Sequence, residues 1–352
     1  MAWNIVLNGS FVVVSTSANR TSSPLNQTQF FAQYYTDFIL STVFGTLMCI
    51  FTFGSNLICL LAICLYPKLK RQRGNILVAN LSVVTMLNSG TVLPISMAST
   101  LHRQYYDDLP EHFCDYSTYY YSTLHAFVWC ECFIAFNRFV AIVFPYRYKI
   151  VASNKGIIAS ILLGYAIPIL INASAFIVSP HMYVNALPFG SCRIDSKNSS
   201  IYPTFQSVTG VYLPLCVNGL LYLVVFAVVW ARKFRLRHDT IVPFIVIRSP
   251  RPGSSTRVQS KRMRLARMLF ASFIWNLLMF LPLPIMNNLV GDAYTQYPRL
   301  FFVIKYVTLL GAAGNTIIYG ALNCDYLDGM LAVVRCNPRK IKPILNGSGI
   351  DS

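Results

Sequence analysis

Two charged side chains stand alone inside long apolar segments of this sequence. Glu131 is the one charge in 116–137, and Lys305 is the one charge in 300–324. A charge at membrane depth is costly and needs a partner, so Lys305 either binds a ligand anion or extends to the outer interface. Glu131 either acts as a pH-linked switch or makes a structural hydrogen bond to a neighbouring helix.

These residues do not form a catalytic or metal-binding set. Glu131 is the only acid, and His125 the only histidine, well inside an apolar segment, whereas an enzyme needs a convergent acid, base or nucleophile. The ten cysteines include neither a C-x-x-C pair nor a Cys/His spacing typical of zinc. We therefore expect no enzyme activity, no cofactor and no metal.

The composition is that of an integral membrane protein. Of the 352 residues, 55% are apolar and 12% are charged, which excludes a disordered chain and disfavours an ordinary soluble domain. The mean hydropathy is +0.51. The net charge of +17 falls in short clusters and is not spread over one surface, so we expect no binding to nucleic acid.

Seven segments have the length and polarity of transmembrane helices. A helix needs roughly 20 apolar residues to cross a bilayer, because no water satisfies its backbone there. The segments cover 38–67, 74–102, 116–137, 156–192, 198–231, 268–291 and 300–324. They are too long for barrel strands. We therefore predict an all-α fold, a seven-transmembrane helix bundle in contact with the lipid bilayer.

The basic residues predict the orientation of this bundle. Most of the 29 Lys and Arg residues follow the first, third, fifth and seventh helices, so the N-terminus is expected outside and the C-terminus in the cytosol. Glycosylation sequons on the predicted outer side begin at Asn8, Asn19, Asn26 and Asn198. We expect a glycosylated extracellular segment over 1–37, a transmembrane domain over 38–326 and a cytoplasmic tail over 327–352.

A series of landmarks recurs through these helices. They are Gly54-Ser-Asn56 in the first, Asn137-Arg138-Phe139 ending the third, Pro214 and Tyr222 in the fifth, Asn315-Thr-Ile-Ile-Tyr319 closing the seventh, and Cys114 and Cys192 on the outer side. As a set, over about 38–326, they resemble the rhodopsin-like (class A) family of G-protein-coupled receptors. The Asn-Arg ending, Pro94 and the Asn-x-x-x-Tyr motif look most like melatonin-receptor-like and related orphan receptors.

The resemblance implies roles at the cytosolic end. Arg138, preceded by Asn137, would contact the inserted C-terminal helix of a heterotrimeric G protein; the alternative is an interfacial arginine that extends to headgroups. Tyr222 and Tyr319, the latter in the motif that begins at Asn315, would swing inward in the active state. Lipid-interface tyrosines are the alternative there.

The resemblance and the oxidising outer side together predict a disulfide between Cys114 and Cys192. A short amphipathic stretch, 326–335, looks like the membrane-surface helix of the family. Cys336 follows it and is a candidate for palmitoylation. These features imply a multi-pass protein of the plasma membrane.

A ligand-binding region is expected in the outer half of the bundle. Its candidate residues are Tyr120, Tyr121, His125, Phe280 and Lys305. No acid lies in that part of the third helix, so nothing matches the carboxylate that binds the amine in biogenic-amine receptors. We expect an unknown extracellular ligand that is anionic or neutral and partly aromatic, such as a lipid or peptide. The alternatives are a receptor-like protein that has lost coupling and a seven-span transporter.

The sequence departs from the family at several landmarks. Thr85 stands where a buried aspartate is usual, so we expect no bound sodium ion. Asn137 replaces the acid that usually precedes the arginine, which predicts high basal activity. Trp275 is too far from Pro282 for the usual Trp-x-Pro, and Thr316 replaces a proline in the closing motif. Pro282 still predicts a hinge in the sixth helix.

Overall fold

A computed structural model describes ten stretches of the chain. They are residues 6–7, 10–11, 27–105, 113–178, 183–186, 191–194, 201–238, 267–268, 270–289 and 298–336. The chain divides into two compact units, Met1–Thr36 and Asp37–Ser352. In the first unit, strands β1 (Val6–Leu7) and β2 (Ser10–Phe11) pair antiparallel, and a short helix covers Gln27–Gln33.

Each of the seven predicted segments overlaps one main helix, and an eighth helix overlaps the predicted surface helix; we label them α1 to α8. Their bounds are Tyr35–Leu65 for α1, Asn75–Leu87 with Asn88–Val92 and Leu93–Tyr105 for α2, Ser117–Val143 for α3, Asn154–Val178 for α4, Tyr202–Ser207 with Val208–Tyr212 and Leu213–His238 for α5, 270–280 with Pro282–Leu289 for α6, Pro298–Leu322 for α7 and Cys324–Val334 for α8. The middle pieces of α2 and α5 are π turns.

Five helices, α1 to α5, are long and apolar enough to cross a membrane by themselves within the described residues. The apolar part of α6, Phe270–Met286, is shorter, and the end of α7 meets α8 at an angle of 111°. That angle turns α8 sharply away from α7, as expected for a helix that follows the last span.

The uncharged segment 156–192 runs past the helix it contains. Helix α4 ends at Val178, and strands β3 (Tyr183–Ala186) and β4 (Ser191–Ile194) form an antiparallel hairpin in the remainder. The absence of charge indicates burial or lipid contact and does not distinguish a helix from a buried hairpin. The predicted outer end of this helix was therefore wrong.

Helix α3 lies at the centre of the bundle. In its most apolar stretch 67% of the residues are buried within the protein, against 33% in α1 and in α5. The outward side chains of α1 and α4 are large and apolar; for example, Leu47 and Leu170 are 61% and 70% exposed. Such surfaces suit contact with lipid tails. The polar contacts between helices must lie in the interior, where α3 is placed to make them.

Polar side chains tie α3 to α2 and α4. Tyr165 Oη donates to Asn80 Oδ1 at 3.0 Å, and Asn80 Nδ2 donates to Cys130 Sγ at 3.3 Å. Gly164 lies against Cys130, where a Cβ would come within 3.0 Å of the sulfur. The small residue lets α4 approach α3 closely enough for these bonds to form.

Helices α6 and α7 also approach closely at glycines. Trp275 Nε1 donates to the carbonyl oxygen of Gly311 at 3.2 Å, and a Cβ on Gly314 would overlap the Trp275 indole. Helix α6 bends at Leu281, beside Pro282, which has no amide hydrogen to donate. The regular helical pattern of α6 is therefore interrupted at Leu281, while its inner part stays packed on α7.

We predict that Gly314→Ala destabilises the protein. The added methyl group forces the Trp275 ring away from α7, and overpacking of this kind costs about 1–3 kcal/mol. The measurement is the Tm of the purified protein in lipid nanodiscs. Gly54→Ala is the control, because a Cβ on Gly54 meets nothing within 4 Å. Equal Tm values for the two variants would contradict the prediction.

Candidate functional site

A disulfide fixes the outer hairpin to α3. Cys114, just before α3, is bonded to Cys192 of β4, with Cα atoms 5.3 Å apart, as the sequence predicted. The Tyr183 ring of β3 stacks on Tyr121 of α3, with ring centroids 6.0 Å apart and an angle of 18° between planes. The hairpin is thus held over the outer end of α3 by one covalent and one aromatic contact.

A chain of hydrogen bonds runs from this hairpin into the bundle. Gln206 Nε2 of α5 donates to Tyr183 Oη at 3.4 Å and to Asn172 Oδ1 of α4 at 2.7 Å. Asn172 Nδ2 donates to His125 Nδ1 at 3.1 Å. His125 Nδ1 therefore accepts, and the imidazole is neutral with its hydrogen on Nε2. We call Tyr183, Gln206, Asn172 and His125 the outer chain.

The outer chain is buried and tightly packed. His125 is 2% exposed and Asn172 is fully buried. A Cβ on Gly210, in the π turn of α5, would overlap the His125 ring, so only glycine fits there. Burial, with Tyr202 nearby, raises the pKa of the Tyr183 phenol above its ordinary value, so its oxygen stays a neutral hydroxyl that accepts from Gln206.

The structure brings together only part of the predicted ligand-binding set. Tyr120 contacts Tyr121 edge to face, with centroids 5.1 Å apart, and Tyr121 lies 6.1 Å from the His125 ring. Phe280 instead packs on Phe127, at 5.1 Å, in the main hydrophobic core. The backbone of Lys305 lies in α7, and its side chain is outside the described part.

Sequence reasoning missed three members of the outer chain, namely Tyr183, Gln206 and Asn172. Neutral polar residues are common in membrane helices, and nothing in their spacing identifies a partner on another helix. The signal available was Asn172 in the middle of an apolar helix, where an amide needs a partner.

A second cluster joins α3, α6 and α7 around Glu131. Asn276 Nδ2 of α6 donates to Glu131 Oε1 and Oε2 at 2.5 and 2.6 Å, and Asn315 Nδ2 of α7 donates to Oε1 at 2.6 Å. Ser272 Oγ of α6 donates to Asn315 Oδ1 at 2.7 Å. We call these four residues the Glu131 cluster. Of the two roles considered for Glu131, these bonds directly support the structural one.

The local sequence of α6 explains how it reaches this cluster. Met268, Ser272, Asn276 and Phe280 recur every fourth residue, so they share one face, and all four are buried. Asn276 Oδ1 has no hydrogen-bond partner within the described residues. The hydrogen bonds from this face to α3 and α7 therefore leave one buried polar atom of α6 unsatisfied among the described residues.

The inner end of α3 carries Arg138 in a neutral environment. Arg138 Nη2 donates to Asn75 Oδ1 of α2 at 3.3 Å, and the arginine is 6% exposed. Asn137 is 1% exposed, and neither of its amide atoms has a partner among the residues described. A Cβ on Gly74 would come within 3.0 Å of Arg138 Nη1. Arg138 thus donates to a neutral amide oxygen, and no carboxylate pairs with it in the described structure.

The two predicted activation tyrosines have different neighbours. The Tyr222 ring of α5 packs on Phe273 of α6 at 5.6 Å, and the Tyr319 ring of α7 packs on Tyr326 of α8 at 5.7 Å. Both tyrosines are buried in the main core and not at a lipid interface.

Thr85 and α8 complete the list of predicted positions. Thr85 Oγ1 donates to the Leu81 carbonyl in its own helix at 2.8 Å. Within the described residues, no group of three or more His, Cys, Asp or Glu could hold a metal ion.

Asn323 Oδ1 caps α8 by accepting from the Asp325 amide, and Cys336 is exposed just beyond the helix. The four glycosylation asparagines, Asn8, Asn19, Asn26 and Asn198, lie outside the described residues.

Comparison with known proteins identifies relatives along most of the chain. The family described as "7 transmembrane receptor (rhodopsin family)" matches residues 55–319. Protein trapped in endoderm-1 of Drosophila melanogaster is 25% identical over 300 residues, covering 81% of this chain and 76% of that protein. Melatonin receptor type 1A of Ovis aries is 22% identical over 281 residues, covering 77% and 70%.

A shorter match is to Octopamine receptor 2 of Lymnaea stagnalis. It is 28% identical over 200 residues, which cover 55% of this chain and 34% of that receptor. The match therefore spans only about a third of that receptor's length.

We predict that Asn172→Ala destabilises the protein by breaking the outer chain. Gln206 Nε2 and His125 Nδ1 would lose a partner in a buried place, which costs about 1–3 kcal/mol for each unsatisfied group. The readout is again the Tm in nanodiscs. Ser174→Ala is the matched control on α4, because the Ser174 hydroxyl donates to the carbonyl of Ile171 in its own helix and is not a member of the outer chain. The prediction is wrong if Asn172→Ala melts with the control.

Proposed function

The chain belongs to the rhodopsin family of seven-transmembrane receptors, and from that premise we propose that it senses an extracellular ligand at the plasma membrane and activates heterotrimeric G proteins. Its N-terminus lies outside and its C-terminus in the cytosol. The observation that carries the proposal is Arg138, which is buried at the inner end of α3 and whose hydrogen-bond partner among the described residues is the neutral Asn75.

Activation is a shift between two states of the bundle. The ligand binds in the outer half, next to the outer chain, and favours the state in which the inner part of α6 has moved away from α3. The bend beside Pro282 provides the hinge for that motion. Movement of α6 uncovers Arg138 to the G protein, with Tyr222 and Tyr319 stabilising the open arrangement.

The environment of Arg138 favours high basal activity. A hydrogen bond from Arg138 to a carboxylate would join two opposite charges and be stronger than its described bond to the neutral amide oxygen of Asn75. Asn137 stands where a carboxylate would form such a bond, and it leaves its own amide unpaired within the described structure. The resting state is therefore weakly held at the cytosolic end, and a fraction of the receptor couples without ligand.

The ligand is anionic or neutral, and partly aromatic. Between 117 and 130, α3 contains no acidic residue that could pair with an amine. An octopamine receptor is among the relatives, but this chain lacks a carboxylate on that part of α3. Tyr120, Tyr121 and the neutral His125 offer rings and hydrogen bonds instead, and Lys305 lies ten residues before Asn315, about 15 Å outward along α7.

We predict that Arg138→Ala abolishes ligand-free signalling. The test measures nucleotide exchange by a panel of Gα subtypes, with variants at matched surface expression. Arg147→Ala is the control, since Arg147 is also basic but is exposed. Wild type and Arg147→Ala should signal and Arg138→Ala should be silent. A signal retained in Arg138→Ala contradicts the role of Arg138; silence in wild type favours a receptor-like protein that does not couple.

We also predict that Asn137→Asp lowers the basal signal. The new carboxylate lies beside Arg138 and replaces a neutral neighbour by a charged partner, which stabilises the resting state by about 1 kcal/mol, or roughly fivefold in basal exchange. Asn137→Ala removes the amide without adding charge and serves as the control. A basal signal that stays the same or rises in Asn137→Asp would contradict this account of the resting state.

A further inference from the structure

The hydrogen bond of Arg138 does not restrain α6. It joins α3 to Asn75 of α2, so α6 is free to move without breaking it. At the inner half of α6, Phe273 and Phe270 make aromatic contacts to α5. Among the described residues, the hydrogen bonds that join α3 to α6 are those between Glu131 and Asn276.

We propose that Glu131 is the resting-state lock of this protein: it holds the inner part of α6 against α3 and α7 by accepting hydrogen bonds from Asn276 and Asn315, and activation breaks the bond to Asn276. This inference rests on the proposed receptor function. Glu131 acts as a positioning residue, because it contacts neither the ligand nor the G protein.

The location of the cluster suits a lock on a hinged helix. Asn276 precedes Pro282 by six residues, about 9 Å along α6, and so lies on the inner side of the bend. Rotation of the inner part about the bend carries Asn276 away from Glu131 at once. Residues nearer the cytosol, such as Arg267, then move further than Asn276 does, because they lie further from the hinge.

The two asparagines that donate to Glu131, Asn276 of α6 and Asn315 of α7, differ in how fully their own amide groups are hydrogen-bonded. Asn315 receives a hydrogen bond from Ser272 as well as donating to Glu131, so its side chain is held at both ends. Asn276 Nδ2 has two hydrogens but faces three acceptors, Glu131 Oε1, Glu131 Oε2 and Asn315 Oδ1. Its own oxygen has no described partner. Movement of α6 breaks the bonds from Asn276 to Glu131 and from Ser272 to Asn315, whereas the bond from Asn315 to Glu131 joins α7 to α3 and can remain.

The experiment compares four variants with wild type in nanodiscs. Glu131→Leu removes both acceptor oxygens, whereas Glu131→Gln keeps one. Glu131→Leu combined with Asn276→Leu replaces both partners by apolar groups, which restores a matched contact. Val128→Ala is the control, because Val128 is also buried in α3 but lies outside the cluster.

Two readouts are taken on each variant. The first is ligand-free nucleotide exchange by the G protein. The second is the distance between spin labels introduced by unnatural amino acids at two exposed residues, Arg71 in the turn before α2 and Arg267 just before the inner part of α6. The label distance does not depend on any G protein, so it reports the position of α6 even if coupling is absent.

We expect Glu131→Leu to raise basal exchange about tenfold and to lengthen the label distance. Glu131→Gln should give a smaller rise, the double variant should return toward wild type, and Val128→Ala should leave both readouts unchanged. A Glu131→Leu protein that matches Val128→Ala in both readouts, even if its Tm is lower, overturns the lock. A longer label distance without exchange in any variant supports the lock and contradicts the proposed coupling.

Discussion

A polar group in the hydrocarbon core of a bilayer must find its partner inside the protein, and this requirement organises the whole bundle. Helix α3 meets it at three depths. His125 joins the outer chain, Glu131 binds α6 and α7, and Arg138 binds α2. Because α3 is the most buried of the five long helices α1 to α5, each contact also fixes a neighbouring helix. The proposed ligand site, the proposed restraint on α6 and the proposed coupling site therefore all involve residues of one helix.

Much of the fold could be predicted from segment length and charge alone. The seven apolar segments each contain a helix, since a lipid-embedded backbone has no other way to satisfy its hydrogen bonds, and the family match confirms the receptor resemblance. The end of α4 was predicted wrongly, because the hairpin Tyr183–Ala186 with Ser191–Ile194 is as free of acidic residues as the helix before it and carries only Arg193. A low charge indicates a buried or lipid-facing segment but not its secondary structure. The hairpin that the disulfide joins to α3 has the same low charge as α4.

The candidate site was only partly predictable. The disulfide from Cys114 to Cys192 followed from the family resemblance together with the predicted outer location of both cysteines. The partners of Glu131, however, lie 145 and 184 residues further along the chain, and both are asparagines. The periodicity of residues within one helix does not show which residues of another helix lie opposite. Asn276 could therefore not be identified from the sequence as the partner of Glu131. Phe280 illustrates the same limit, because its position in α6 did not reveal that it packs on Phe127.

The π turn at Val208–Tyr212 divides α5 into two parts. The turn determines which way the side chains of the outer part point relative to those of the inner part. Its wide turn leaves the Thr209 carbonyl to accept from Trp129 Nε1 of α3 at 3.3 Å, and it brings Gly210 against His125. Each residue added to or lost from a helix rotates everything beyond it by about 100°. A mutation that removes the π turn would therefore re-aim Gln206 while the inner half of α5 keeps its register. The π turn thus separates the orientation of the Gln206 end of α5 from the register of the Leu213–His238 part.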